Sequence, residues 1–353
     1  MVKCEKRGVS ISAVEKVFIY RQLGVMLHAG IPIVKALDAV SRSCRKIGDR
    51  EVWQETAQEV SEGNTLTKAF GRHQDYFALV EVGLVRAGEL SCTLAEIFSD
   101  LANYYLLSNN LKRRIAGAVQ YPIILCLAMF LLIMVISMHV LPAFTPILES
   151  GSGQSIFTRL LLEGITITQN WLFWWGFGFV LALMVAIYKL YGSAPQFTKN
   201  MQYFMLTWPL LGKIIKSVVV TRFCHTMSLM VRSGLPLDTS LQIVGLALAN
   251  YPLAKVTDEA AALVHSGCEL GEALGQTNYF SPNFIKTINV AMQSSHLEEA
   301  LDRLSRFYNE QVVYSLDRFS SLVEPLLLAV MGVFVSGLLL ALFTPLYSFM
   351  DSL

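Results

Sequence analysis

Three long stretches of the chain contain no charged residue and are rich in apolar side chains. They occupy residues 115–148, 164–188 and 325–350. A helix needs about 20 apolar residues to cross the roughly 30 Å core of a bilayer, so each stretch is long enough to span a membrane. The pattern therefore predicts three transmembrane helices, at 119–141, 169–189 and 323–344.

The composition agrees with a membrane location. Hydrophobic residues make up 54% of the 353 residues and charged residues only 16%, whereas soluble domains carry about 25% charged residues. The mean hydropathy of +0.48 exceeds what one soluble core explains. The net charge of +1 excludes a nucleic-acid-binding protein that relies on its overall field. The polar start of the chain predicts no cleaved signal peptide.

The distribution of basic residues predicts the orientation in the membrane. Residues 1–118 hold 16 of the 28 lysines and arginines, 189–322 hold 11, and the loop 142–170 holds only Arg159. Because basic residues near spans stay in the cytoplasm, both large segments are expected inside. The N-terminus is then cytoplasmic and the C-terminus lies outside. None of the six cysteines falls in the outer loop or the tail, so no disulfide is expected.

An internal repeat organises the chain. The segment Ala29-Gly30-Ile31-Pro32-Ile33 matches Ser233-Gly234-Leu235-Pro236-Leu237 at an offset of 204 residues, and after a slip of one residue the matches continue at an offset of 203. Glycine suits the left-handed position after a helix, and proline suits the start of the next helix. The repeat predicts structural turns at Gly30, Pro32, Pro122, Gly234 and Pro236.

No run of residues alternates between apolar and polar in the way that strands do. We therefore predict an all-α polytopic membrane protein with two homologous cytoplasmic helical-bundle domains, each of about six short helices. Gly63 and Gly88 are expected to mark helix breaks. The predicted segments are a cytoplasmic domain at 1–114, a transmembrane helix at 119–141, an outer loop at 142–168, a second span at 169–189, a second cytoplasmic domain at 190–321, a third span at 323–344 and an outer tail at 345–353.

The sequence contains no recognisable catalytic, cofactor-binding or metal-binding pattern. The one Gly-Lys pair, Gly212-Lys213, has Thr207 where a phosphate-binding loop needs glycine. The six histidines form no HExxH motif and no cluster with cysteine at metal-ligand spacing. We therefore predict a non-enzymatic protein with no catalytic residues, no cofactor and no metal.

Two polar features near the third span have two interpretations each. Glu324 directly precedes Pro325, and it is either a solvated carboxylate at a helix start or a contact to a partner helix or to the basic stem of the first span. The small residues Gly332 and Ser336 allow close helix packing, either within the molecule or with a substrate helix.

Several segments carry a resemblance to a known family: Ala87-Gly88-Glu89 followed by Leu94, Tyr121-Pro122, and Val323-Glu324-Pro325. Together with the duplicated order, they resemble the inner-membrane platform proteins shared by type IV pilus assembly and type II secretion systems. The resemblance extends from about Val17 to Pro345. Among the branches, the sequence looks closer to type IVb pilus platforms, such as that of the bundle-forming pilus.

The resemblance implies a scaffold in the bacterial inner membrane. Its implied partners are a cytoplasmic hexameric assembly ATPase, pilin subunits, other inner-membrane pilus-assembly proteins and membrane lipid, and a homo-oligomer is compatible with it. The implied partner-binding residues are Gly88, Glu89, Glu324 and Pro325. The second repeat departs from this pattern, because Ala291-Met292 stands at the position of Gly88-Glu89.

Two alternative functions follow from the same sequence. One is the platform of a type II secretion system, which the resemblance covers equally. The other is a small-solute transporter, because transporters are also built from repeats. The absence of charge deep within the spans and the large cytoplasmic share of the chain favour a platform over a transporter.

Overall fold

The computed structural model describes residues 12–136, 211–248 and 250–350. Every regular element in these ranges is helical, which confirms the all-α prediction. The predicted second span at 169–189 and the predicted outer loop at 142–168 lie outside the described residues.

Six helices are described in each repeat, as the sequence predicts. In the first repeat these are α1 (Ala13–His28), α2 (Ile33–Ser43), α3 (Ile47–Ser61), α4 (Leu66–Arg72), α5 (Leu79–Ser91) and α6 (Leu94–Val135). In the second they are α7 (Leu211–Arg232), α8 (Leu237–Ala247), α9 (Tyr251–His265), α10 (Leu270–Gln276), α11 (Pro282–Gln293) and α12 (Leu297–Met350).

The backbone reproduces the repeat position by position. Gly30 and Gly234 follow equivalent helices with φ of +79° and +75°, a conformation that glycine adopts without a Cβ clash. The offset of 203 residues further along joins Cys92 to Ser295, which have φ of +58° and +57°. The turns predicted at the two glycines are confirmed, and Pro32 and Pro236 each lie one residue before the helix that follows.

Both repeats contribute to one compact unit. It comprises Met1–Arg114 together with Gln202–Val313, whereas Ile115–Met201 and Tyr314–Leu353 form a second unit. Buried aromatic side chains from both repeats fill the core of the first unit: Tyr20, Trp53, Phe70, Phe77, Phe98, Phe223 and Phe284. The sequence analysis predicts two cytoplasmic domains. In the structure, helices from both repeats pack around one continuous apolar core.

Two predicted breaks are absent from the structure. Gly88 lies inside α5 rather than at its end, and Pro122 lies inside α6 rather than at a turn. A proline within a helix removes one backbone hydrogen bond and usually kinks or breaks the helix. α6 continues through Pro122 because a second helix supplies a hydrogen bond at this point, as described below.

Among the described residues, three helices are long and apolar enough to cross a membrane: Leu94–Leu132, Gly212–Arg232 and Leu297–Gly337. The first and third overlap the predicted spans at 119–141 and 323–344, and only 6% of each apolar window is buried within the protein. The window in Gly212–Arg232 is 56% buried. This helix is equivalent to α1 and packs in the core of the first unit, which accounts for its apolar character.

Candidate interaction surfaces

Gly88 lies where α5 passes close to α6. A Cβ atom at this position would lie 2.8 Å from Cγ1 of Ile97 and 3.1 Å from Cδ2 of Leu94. Both distances are shorter than ordinary carbon contacts. The glycine is therefore needed for helix packing within the first repeat, whereas a role of Gly88 in partner binding stays a prediction.

The Glu89 carboxylate binds the N-terminus of α4. It accepts hydrogen bonds from the backbone N–H of Leu66 at 2.5 Å, from the backbone N–H of Thr67 at 3.0 Å, and from the Thr67 hydroxyl. The first N–H groups of a helix have no partner within the helix, and a negative charge there is favourable. Both carboxylate oxygens thus have partners within the repeat, and Met292 at the equivalent position in the second repeat cannot replace them.

A buried ion pair ties α1 to α5 in the first repeat. Lys16 Nζ lies 2.9 Å from both carboxylate oxygens of Glu81 and donates to the carbonyl of Tyr76 at 3.0 Å. The Tyr20 hydroxyl and the backbone N–H of Ala78 also donate to Glu81, which is fully buried. Burial, followed by the charge of Glu81, raises the pKa of Tyr20 well above its ordinary value, so this hydroxyl remains a donor.

The second repeat has an apolar cluster at the same positions. The equivalents of Lys16, Tyr20 and Glu81 are Val220, Cys224 and Phe284, all of them buried. Well-packed apolar residues can replace a buried ion pair without loss of stability. The sequence analysis did not identify Lys16 and Glu81 as an ion pair. Aligning the two repeats at these offsets would have shown that apolar residues replace both in the second repeat.

The two repeats meet through one face of α5 and α6 and one face of α7 and α8. A Cβ atom at Gly83 would lie 3.0 Å from Cδ1 of Ile243. The ring of Tyr104 stacks on that of His225 with centroids 6.0 Å apart. Arg232 lies 3.3 Å from an oxygen of Asp100, and this pair connects the first repeat to the second.

His225 and Arg222 line a cavity of about 50 Å³ at this contact, together with Tyr104. Burial lowers the pKa of His225 below its ordinary value of 6.5, and Asp302 partly opposes the shift. The imidazole is consequently neutral at pH 7. The ion pair across this contact is the one between Asp100 and Arg232, and the histidine takes no part in it.

In the second unit, the Ser320 hydroxyl donates to the carbonyl of Ala118 at 3.1 Å. Ala118 precedes Pro122 by four residues, so its carbonyl is the one that loses its helical N–H donor to the proline ring. Ser320 on α12 supplies the missing hydrogen bond to α6. This contact explains why a proline is tolerated inside a continuous helix.

Glu324 and Pro325 both lie inside α12 and are exposed. The interpretation of Glu324 as a carboxylate at a helix start is therefore wrong, because the helix begins at Leu297. Within the described residues the Glu324 carboxylate forms no hydrogen bond or ion pair, and partner binding by Glu324 and Pro325 stays a prediction. Both interpretations of the small residues Gly332 and Ser336 stay predictions, because no described atom lies within 4 Å of a Cβ built at Gly332.

Within residues 12–136, 211–248 and 250–350, no three histidine, cysteine, aspartate or glutamate side chains are grouped so that they could hold a metal ion. The features of this part of the chain are helix contacts and exposed helix faces.

Comparison with known proteins agrees with this picture. The type IV pilus assembly protein TapC of Aeromonas hydrophila is 28% identical over 98% of this chain and 84% of its own length. PilC of Pseudomonas aeruginosa, also a type IV pilus assembly protein, is 26% identical over 98% of this chain and 94% of its own length. The type II secretion system protein F of the same organism is 27% identical over 96% of this chain and 83% of its own length.

The family model described as type II secretion system protein F matches the chain twice, at residues 19–142 and 223–345. The starts of the two matches differ by 204 residues and their ends by 203, the same offsets that relate the two repeats. More than half of the chain is covered. The chain therefore belongs to the type II secretion system protein F family.

Proposed function

We propose that this protein is a non-enzymatic platform for type IV pilus assembly in the bacterial inner membrane. The observation that carries the proposal is the duplicated family domain, in which each copy ends in a long, exposed apolar helix. Relatives named as pilus assembly proteins align with nearly the whole chain. A duplicated helical unit joined to membrane helices suits a scaffold that binds one protein in the cytoplasm and another within the bilayer.

In this proposal, the first unit binds the cytoplasmic assembly ATPase. The shared core and the Asp100–Arg232 pair hold the two repeats as one body, so the ATPase would push on both together. α6 and α12 are each one continuous helix, whose first part packs in the first unit and whose last part is apolar. Movement of the ATPase would pass along these helices to pilin subunits that leave the bilayer beside them.

The proposal includes the predicted membrane orientation. Reporter fusions at Ser152 and Leu353 should report a location outside the cytoplasm, and a fusion at Ala194 should report the cytoplasm. The asymmetry of lysine and arginine supports this arrangement. A cytoplasmic signal at Ser152 would refute it.

A platform for type II secretion is the second candidate. It is favoured by relatives named type II secretion system protein F, whose identities match those of the pilus relatives. The two candidates share the scaffold role and the membrane helices. They differ in the substrate that leaves the membrane.

A clean deletion of the gene tests both candidates. Surface pili would be scored by electron microscopy, mature pilin by immunoblot, and secreted proteins by profiling the culture medium. Loss of pili with pilin still present and unchanged secreted proteins is the expected result. Intact pili with exported proteins held in the periplasm would favour the secretion platform, and a strain normal in both respects would refute the platform role.

A further inference from the structure

The contact between the two repeats uses different faces of each. The first repeat contributes α5 and α6, and the second contributes α7 and α8, which are the equivalents of α1 and α2. Two faces of the same kinds are therefore unused. These are the face of α1 and α2 in the first repeat and the face of α11 and α12 in the second. We define them as the open α1/α2 face and the open α11/α12 face.

Exposure at equivalent positions shows that these two faces are uncovered. Val290 on α11 is 64% exposed, whereas its equivalent Ala87 on α5 is 5% exposed. Val25 on α1 is 63% exposed, whereas its equivalent Leu229 is 6% exposed. Both open faces thus present apolar side chains at positions that are buried elsewhere in the same chain.

Both faces are also concave. An open groove of about 680 Å³ lies along α11 and α12, and its lining includes Val290 and Phe307. A second cavity of about 540 Å³ lies between the start of α1 and the end of α2, and its lining includes Val14 and Phe18. Exposed apolar patches of this kind mark sites where another protein binds.

We propose that the open α11/α12 face of one copy binds the open α1/α2 face of a second copy, in the same way that the two repeats bind within one chain. A contact between two different faces is heterologous, and heterologous contacts between identical chains close into rings when the rotation allows. The partner is a second copy because the contact between the repeats already pairs these two kinds of face.

The residues at equivalent positions complement one another. Tyr104 and Arg222 line the same cavity between the repeats, and their equivalents are Phe307 and Phe18. These two phenylalanines are 51% and 60% exposed in the single chain, and they would cover each other between copies. A polar pair within the chain is thus replaced by an apolar pair between chains.

Side-chain size is complementary at the closest approach. Within the chain, Gly83 leaves room for the long side chain of Ile243. The equivalent residues between copies are Lys286 and Ala39, so the small residue lies on the opposite side and the room is again sufficient. The charged pair is not repeated, because the equivalents of Asp100 and Arg232 are Arg303 and His28. The association is therefore expected to depend on the apolar pair.

Cross-linking of the full-length protein in membranes tests the proposal. Two copies with different tags would be produced together, one with Ala39→Cys and the other with Lys286→Cys, and treated with a short bifunctional thiol reagent. The matched control replaces Lys286→Cys with Glu259→Cys, which is exposed on α9 and does not line the groove. The native cysteines give the same background in both pairs.

We expect a cross-linked species carrying both tags at a yield several-fold above the control. Phe18→Glu and Phe307→Lys should each reduce that yield to the control level, and the two changes in one chain should restore it, because opposite charges then face each other. Both side chains are more than half exposed, so neither change removes core packing. Equal yields for the test pair and the control, or a yield unaffected by Phe18→Glu, would overturn the proposal.

Discussion

Removing Lys16 should strongly destabilise the first unit, because it leaves the Glu81 carboxylate charged and buried. Lys16→Met keeps the length of the side chain and removes the charge that lies 2.9 Å from both oxygens of Glu81. Breaking a buried ion pair on one side costs about 3–5 kcal/mol. Glu81 keeps the donors from Tyr20 and Ala78, so a loss near 3 kcal/mol is expected.

The assay is thermal unfolding of the purified full-length protein in detergent at pH 7, followed by circular dichroism. A loss of about 3 kcal/mol corresponds to a fall in Tm of roughly 6–12 °C for a unit of about 200 residues. The matched control is the double variant Lys16→Met with Glu81→Met. It removes both charges, as the second repeat does with Val220 and Phe284, and should recover at least half of the lost stability.

Two results would refute this reasoning. A fall in Tm of less than about 2 °C for Lys16→Met would mean that the pair contributes little to stability. A double variant no more stable than Lys16→Met alone would mean that the unpaired charge of Glu81 is not the cause of the loss.

Ser320→Ala should lower Tm by a few degrees, because it leaves the carbonyl of Ala118 without a donor at a cost of about 1–3 kcal/mol. Equal Tm values would contradict the role assigned to Ser320. Gly30→Val should destabilise far more than Gly71→Ala, because Gly30 has φ of +79° whereas Gly71 is helical with open space beside it. Equal Tm values for the Gly30→Val and Gly71→Ala variants would contradict the requirement for glycine at position 30. The free energy of unfolding should also fall as the pH drops below about 6.5, since the lowered pKa of His225 means that the unfolded chain binds a proton that the folded chain does not. His225→Phe should remove that part of the pH dependence, as measured by chemical denaturation at pH 7 and pH 5.

The architecture follows from features that are local in sequence. Uncharged stretches identify the apolar helices, because placing a charge near the centre of a membrane span is costly. Gly30 and Gly234 identify the helix ends, because a positive φ is a local requirement that glycine meets best. The repeat at offsets of 204 and 203 residues is likewise visible without coordinates.

The roles of individual polar residues depend on neighbours that are distant in sequence. Glu89 looks like a binding residue in the sequence, but its carboxylate caps α4, which begins 23 residues earlier. Pro122 looks like a turn, but Ser320, about 200 residues away, supplies a hydrogen bond that keeps the helix continuous. Spacing within the sequence cannot show such contacts.

The sequence by itself therefore determines that the chain is helical, duplicated and membrane-spanning, because propensity, periodicity and hydropathy act over a few turns of the chain. Only the tertiary structure shows that the repeats join through unlike faces and leave one face of each kind open. That outcome depends on which surfaces bury the most apolar area at close range. It is a property of two folded repeats in contact and not of either sequence segment alone.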